Sequence, residues 1–248
     1  LSEVEITKKV NKKRWNQHFK MFKEFVFGEH FKNRHIKIPN SYNADFEVDG
    51  KTIKEYYPFQ LNIINTYTGF EMLYAVESFQ IGEARKHALA YVGFTPLQPN
   101  DSEQKATWEN NRFAVYRGSL RHFFKSLINN ELPENGFRAR VSFTGEKGKV
   151  FQRASSAPLF DEKLKIEPIG DKVRISFEQD LGIDYFNELG GNGNAQTSFV
   201  RTYNGYIDVY ENGIPVDPGS FDIYGHLATE GLYEMLPTDY SFSDEHEK

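Results

Sequence analysis

Between residues 35 and 95 the chain alternates apolar and polar residues in short runs joined by links of only a few residues. That combination constrains the fold more than any other feature. A period of two puts alternate side chains on opposite faces of a strand. A parallel crossover needs a dozen or more residues, so links this short admit only antiparallel neighbours. Ile36-Lys37-Ile38 alternates, and so does Ala44-Asp45-Phe46-Glu47-Val48, which runs into Asp49-Gly50 and Thr52-Ile53. An Asp-Gly pair between alternating runs is a hairpin signal, because glycine adopts the positive φ of the tight turn. Residues 59–65 and 70–81 read as two more strands joined through Thr68-Gly69, and 88–94 as a further one.

On both sides of this block the period lengthens. Trp15, Phe19, Phe22 and Val26 are spaced four, three and four apart, one face of a helix predicted over 7–27, with Gly28 as its C-cap. Residues 1–6 alternate and read as the last strand of something upstream or as a frayed end. A second, long helix is expected from Asp101 or Ser102 to a stop at Pro133-Glu134-Asn135-Gly136, with Phe113, Tyr116, Leu120, Phe123, Phe124 and Leu127 as its buried stripe. Strands return at 137–143, 173–179, 183–186, 197–203 and 206–210, and Gly190-Gly191-Asn192-Gly193-Asn194 is expected to be a mobile loop. The predicted class is α+β: mainly antiparallel sheet, meander or sandwich-like, packed by an N-terminal helix and a long inserted central helix. One domain over 1–248 is favoured, with lobes 1–143 and 164–248 as the alternative division across the polar stretch 144–163.

Composition removes several function classes. The chain has no cysteine, which excludes disulfides, thiolate-bound metals and thiol nucleophiles. A net charge of −5 argues against nucleic acid as a partner. A local exception is the cluster Lys8, Lys9, Lys12, Lys13, Arg14, Lys20 and Lys23, read as a solvated helix face, with membrane-surface contact as the alternative. No apolar run reaches the roughly 18 residues of a membrane-spanning helix. Gly145-Glu146-Lys147-Gly148-Lys149 lacks phosphate-loop spacing and reads as a charged hairpin turn. The i, i+4 pairs Glu83/His87 and His226/Glu230 fall outside predicted helices, and no His-Glu-x-x-His occurs, so neither a metal nor a cofactor is expected. A pair of carboxylates suited to glycoside hydrolysis is neither indicated nor excluded by spacing.

The densest chemistry lies on the central helix. Ser119 and His122 are three apart, a pair that could serve as nucleophile and base, and Arg112 falls on the same strip. Against it, nucleophilic serines sit on strained turns, whereas a helical serine bonds its own i−4 carbonyl. Gly118 in the middle of the helix is explained by close approach of a ring or strand. Tyr56, Tyr57, Tyr203, Tyr206 and Tyr210 lie near strand ends and turns and read mostly as core or edge residues, with stacking on sugar rings or peptide side chains as the alternative.

The run Trp108-x3-Arg112-x3-Tyr116-Arg117-Gly118-Ser119-Leu120-Arg121-His122-Phe123-Phe124-Lys125-Ser126-Leu127, followed by Gly136-Phe137, resembles a family of Gram-negative cell-envelope proteins, the carboxypeptidase-like regulatory-domain-containing proteins. Phe25-Val26-Phe27-Gly28-Glu29, Tyr57-Pro58-Phe59-x-Leu61, Tyr91-x-Gly93-Phe94 and Leu236-Pro237-x-Asp239-Tyr240 also look like theirs. The resemblance covers the region after the family's small regulatory-like β-sandwich. It implies that a signal sequence and that upstream domain precede this chain, and that the protein sits in the periplasm or at the outer membrane. Relatives often carry a cysteine after the first helix, where this chain has Arg34-His35-Ile36. The family's name implies no peptidase activity. Two functions are therefore expected: a non-catalytic envelope module binding a glycan or an envelope protein, or a hydrolase centred on Arg112, Ser119 and His122.

Overall fold

The computed structural model describes residues 12–83, 86–142, 164–189 and 193–241. Among these are three α-helices and thirteen strands, all paired antiparallel, so the α+β class read from the sequence holds. The chain divides into two compact units, Leu1–Arg112 with Gly231–Pro237, and Phe113–Glu230 with Thr238–Lys248. The division falls inside the central helical segment rather than in the polar stretch 144–163.

The first unit begins with α1 (Lys12–Phe27), which buries Phe19, Phe22, Val26 and Phe27. Three of these are residues of the predicted stripe. Gly28 follows at φ +84°, a left-handed stop that needs no Cβ. The last carbonyls of α1 are not left open: Leu232 N–H donates to Val26 O at 2.9 Å and Tyr233 N–H to Phe27 O at 3.4 Å. The exposed side of α1 carries Lys12, Lys13, Arg14 and Lys20, whereas Lys23 is half-buried and donates to Asn33 Oδ1 at 2.9 Å, and Lys8 and Lys9 lie outside the described residues.

Six strands form the sheet under α1: β1 (Ile36–Lys37), β2 (Phe46–Asp49), β3 (Thr52–Glu55), β4 (Phe59–Asn65), β5 (Phe70–Ile81) and β6 (Lys86–Pro96). The Asp49-Gly50 hairpin between β2 and β3 is present, with Gly50 at φ +59°. The long strand β5 is central. On one side it pairs with β4 along its first half and with β3 at Ile53 and Lys54 along its second, and on the other with β6 along nearly its whole length. A bulge between Val76 and Ser78 changes which residues point inward, from Phe70, Met72, Tyr74 and Val76 to Phe79 and Ile81. Phe22 meets that inner face, 5.7 Å from Phe59, 6.3 Å from Tyr74 and 5.0 Å from Phe79 between ring centres. Packing of an aromatic stripe on an alternating sheet is thus the core of this unit.

The helix α2 (Ser102–Tyr116) runs from the first unit into the second, and α3 (Leu120–Ile128) follows after a break. The single long helix expected from periodicity is therefore two, and it stops earlier than expected. Asn130 takes φ +59°, and Glu131 N–H closes on Ser126 O at 2.8 Å, well before Pro133.

In the second unit β7 (Phe137–Ser142), β8 (Leu164–Ile169), β9 (Lys172–Phe177), β10 (Asp180–Leu189), β11 (Ala195–Thr202), β12 (Tyr206–Tyr210) and β13 (Phe221–Gly225) make two sheets, ordered β13-β11-β10-β7 and β12-β9-β8. Both sheets and α3 feed one core, with Phe123 and Phe124 from the helix, Leu181, Ile183 and Val200 from the first sheet, and Ile175, Ile207 and Val209 from the second. This matches the sandwich-like expectation. Strands β8 and β13 were not anticipated. Pro168 discourages a strand reading of β8, yet it is tolerated because β8 pairs only with β9 and is an edge. The charged turn 145–149 lies outside the described residues, as do 190–192 of the glycine-rich loop.

Candidate functional site

The break between α2 and α3 decides what Ser119 and His122 can do. Gly118 stands at φ +80°, and a Cβ placed on it would lie 2.7 Å from the Tyr185 ring. Both the left-handed backbone and the approaching strand residue therefore require glycine, which extends the packing reason read from the sequence. Ser119 is the N-cap of α3, with extended backbone, and its hydroxyl oxygen accepts the His122 N–H at 3.2 Å. It is not a mid-helix serine bonded to an i−4 carbonyl. Nor does it face a free base, because His122 Nδ1 accepts the Gly118 N–H at 3.1 Å. A nitrogen that already holds a backbone proton donor has no lone pair left for a serine proton.

The imidazole is 8% exposed and lies between the rings of Tyr116 (4.8 Å) and Phe137 (4.9 Å). Burial pushes its pKa down to about 4, against the pull of a side-chain hydrogen bond with Asn135, and Arg117 and Lys125 lower it further. Asn135 is itself placed by donating from Nδ2 to Ser126 Oγ at 3.0 Å, and Ser126 donates to His122 O at 2.7 Å. The result is a neutral, fully oriented ring that ties the helix break to the segment after α3.

Arg112 belongs to a different constellation. Trp108, Asn111 and Arg112 share one face of α2 by their i, i+3, i+4 spacing. They donate to consecutive carbonyls of the β4–β5 turn: Trp108 Nε1 to Thr66 O at 2.9 Å, Asn111 Nδ2 to Tyr67 O at 2.8 Å, and Arg112 Nε to Thr68 O at 2.7 Å. Arg112 Nη2 reaches Gly69 O at 3.3 Å, and its guanidinium lies 4.3 Å from the centre of the Phe70 ring. Gly69 takes φ +71°, and the Trp108 ring fills the space where its Cβ would be. The Trp-x3-Arg spacing is a clamp on a turn, and Arg112 is committed to Thr68 O and Gly69 O rather than to a site with Ser119 and His122. Arg121 anchors similarly, donating to the carbonyls of Asn212, Thr238 and Tyr240.

A second Ser–His contact was not anticipated. Ser78 Oγ lies 2.7 Å from His87 Nε2 across β5 and β6. His87 Nδ1 is buried without a partner, so no carboxylate orients the ring. Glu83, its i, i+4 neighbour in the sequence, instead pairs with Lys51 at 2.7 Å. The sheet of β7, β10, β11 and β13 carries a charged strip opposite its core face, legible in Arg138/Arg140 and Asp180/Asp184 alternation. Asp184, 2% exposed, accepts from Arg138, Arg140 and Thr197, and Asp180 accepts both bonds of Arg201. These carboxylates are saturated with donors, which suits them to holding strands together rather than to proton transfer. Among the described residues no cluster of three or more His, Asp or Glu side chains is arranged to hold a metal ion, and no helix is long and apolar enough to cross a membrane.

What stands open is an edge. Strand β6 pairs with β5 on one side, and no described strand pairs with its other side. From His87 to Thr95 it has no formal charge, and its outward residues Leu89 and Tyr91 are 58% and 69% exposed. Leu73 on β5, opposite Gly93, extends the apolar surface. The other edges of the same sheet are protected: β1 has two residues, and β2 has four, among them Glu47 and Asp49. Tyr56 and Tyr57 pack edge to face at 4.5 Å in the first unit, and Tyr203 in the second donates to Asp222 at 2.6 Å. No family model, curated protein or solved structure matches the chain.

Proposed function

We propose that this chain is a non-catalytic binding or assembly module of the Gram-negative cell envelope, working through the open edge and outer face of its first sheet. The observation that carries the binding role is β6: eleven residues long, uncharged between His87 and Thr95, and unprotected where the other edges of its sheet are short or charged. A partner can add a strand there through main-chain hydrogen bonds, with Leu89, Tyr91 and Leu73 supplying side-chain contact. The periplasmic or outer-membrane location rests on the family resemblance of the Trp108–Leu127 segment and its companions.

The commitments of Ser119, His122 and Arg112 to capping and carbonyl binding support this reading over a hydrolase. The test is a binding screen with envelope extracts and envelope glycans, run beside generic ester and glycoside substrates. Retention of an envelope component, lost in a β6 variant, is expected without turnover. Robust turnover abolished by Ser119→Ala, with the fold retained by circular dichroism and turnover not restored by the capping variant Ser119→Asp, would sink the proposal. A second reading is favoured only by the 2.7 Å Ser78–His87 contact. It predicts turnover that Ser78→Ala removes and Ser119→Ala leaves intact.

A further inference from the structure

The occupant of the β6 edge is specified by the strand itself. Leu97 N–H donates to Gly69 O at 3.0 Å, which places the hydrogen bonds of the β5–β6 ladder on the odd-numbered residues of β6. The N–H and C=O groups of Lys86, Ala88, Ala90, Val92 and Phe94 therefore point to the open side. Pro96 shares that parity, so the N–H it lacks is missing from the open edge and not from the ladder. A strand that pairs here meets a row of small and apolar residues and, apart from Lys86 at the end, no charge. Neither an acidic nor a basic peptide would find a counter-charge along it.

We infer that β6 pairs with β6 of a second copy of this chain, antiparallel about a two-fold axis through Tyr91, an inference that rests on reading this edge as the docking surface. Tyr91 is the middle residue of Lys86–Pro96, so this is the register in which the two strands overlap over their full length. Ala90 then faces Val92 of the other copy and Ala88 faces its Phe94, all with their free N–H and C=O groups in bonding position. On the outer face Leu89 meets Gly93, and the two Tyr91 rings adjoin at the axis. Away from the axis a larger side chain meets a smaller one, Leu89 with Gly93, Phe94 with Ala88 and Val92 with Ala90, and Lys86 falls opposite Pro96 rather than another charge. The arrangement is isologous and closed, so each copy uses the unpaired side of β6 and no further copy can add there.

Eleven residues at about 3.4 Å each give a contact about 37 Å long. With a depth of about 10 Å, the pair buries on the order of 700 Å² in total. That is below the roughly 1,200 Å² of stable interfaces, so the dimer is reversible and concentration-dependent rather than obligate.

The test is sedimentation of the whole chain from about 1 µM to about 1 mM, the range in which a contact of this size titrates. Wild type is expected to shift from monomer to dimer. Val92→Pro removes an N–H that points away from β5, so the fold should persist by circular dichroism. Association should weaken by about 30-fold or more, because symmetry removes each bond twice. The cysteine-free background allows a register test. Tyr91→Cys should give an oxidised dimer, since residues facing each other at a non-hydrogen-bonded pair lie within disulfide reach. Leu89→Cys should not, since its two copies are displaced by about four residues, roughly 13 Å. A monomer throughout the range, a dimer that Val92→Pro leaves intact, or equal cross-linking by Leu89→Cys would each overturn the inference. Capture of a different protein by a monomeric chain, lost in Val92→Pro, would overturn self-pairing while leaving the binding role standing. Loss of both overturns both.

Discussion

Replacing Gly118 with alanine tests the helix break with a change of sign. If α2 and α3 were one continuous helix, Gly118→Ala would stabilise the protein by about 1 kcal/mol, the difference in helix propensity. The structure predicts the reverse. At φ +80° a Cβ meets the left-handed penalty of about 1–2 kcal/mol. It would also lie 2.7 Å from the Tyr185 ring. That ring cannot simply yield, because Tyr185 is buried and its centre is 4.7 Å from that of Phe137. Overpacking of this kind adds about 1–3 kcal/mol. The sum is a destabilisation of about 2–5 kcal/mol, measurable by urea unfolding followed by circular dichroism. A cycle with Tyr185→Leu separates the two contributions. The steric part should disappear in the double variant, giving a favourable coupling of about 1–3 kcal/mol, while the backbone part should remain. A stabilised Gly118→Ala, or a double variant with no coupling, would refute the argument.

Three further outcomes follow from the same region. Ser119→Ala should lose the α3 cap and about 1 kcal/mol of stability, with Ser119→Asp restoring most of it in the same urea assay. His122 is held near pKa 4 against about 6.5 unfolded, so the unfolded chain binds the extra proton between those values. Its contribution is complete above about pH 6.5 and is lost as pH falls toward 4, about 3 kcal/mol in all. Unfolding of His122→Asn, which retains an acceptor for Gly118 N–H, should show a flatter acid limb than wild type. Arg112→Met should cost about 1–3 kcal/mol by removing the charged donor to Thr68 O, Gly69 O keeping the Leu97 N–H, and Arg112→Lys should recover only part, because lysine lacks the planar fork that reaches both carbonyls. Urea unfolding measures both.

The legible parts of this chain were those in which neighbouring residues carry the whole signal. Residues 59–65, 70–81 and 206–210 are strands at the predicted bounds, since alternation is a property of a few consecutive side chains. The Asp49-Gly50 hairpin and the aromatic stripe of α1 are equally local. Gly118 was visible as an anomaly, yet its sequence context does not distinguish a glycine tolerated in a helix from one that ends it. The answer lies with Tyr185, many residues away. Spacing likewise brought Arg112, Ser119 and His122 onto one strip and suggested chemistry. Their roles were decided by the carbonyls of Thr68 and Gly69, by the Gly118 N–H and by the rings around His122.

The amino-acid sequence by itself therefore determined the α+β class, the antiparallel pairing and most element positions, because period and link length act over a few residues. Only the tertiary structure decided where the central helix breaks, which catalytic-looking side chains are held by backbone groups, and that β6, uncharged from His87 to Thr95, is an edge to which no described strand pairs beyond β5. Those outcomes depend on which distant groups meet, and a pattern of period two or 3.6 carries no record of the partner it will find.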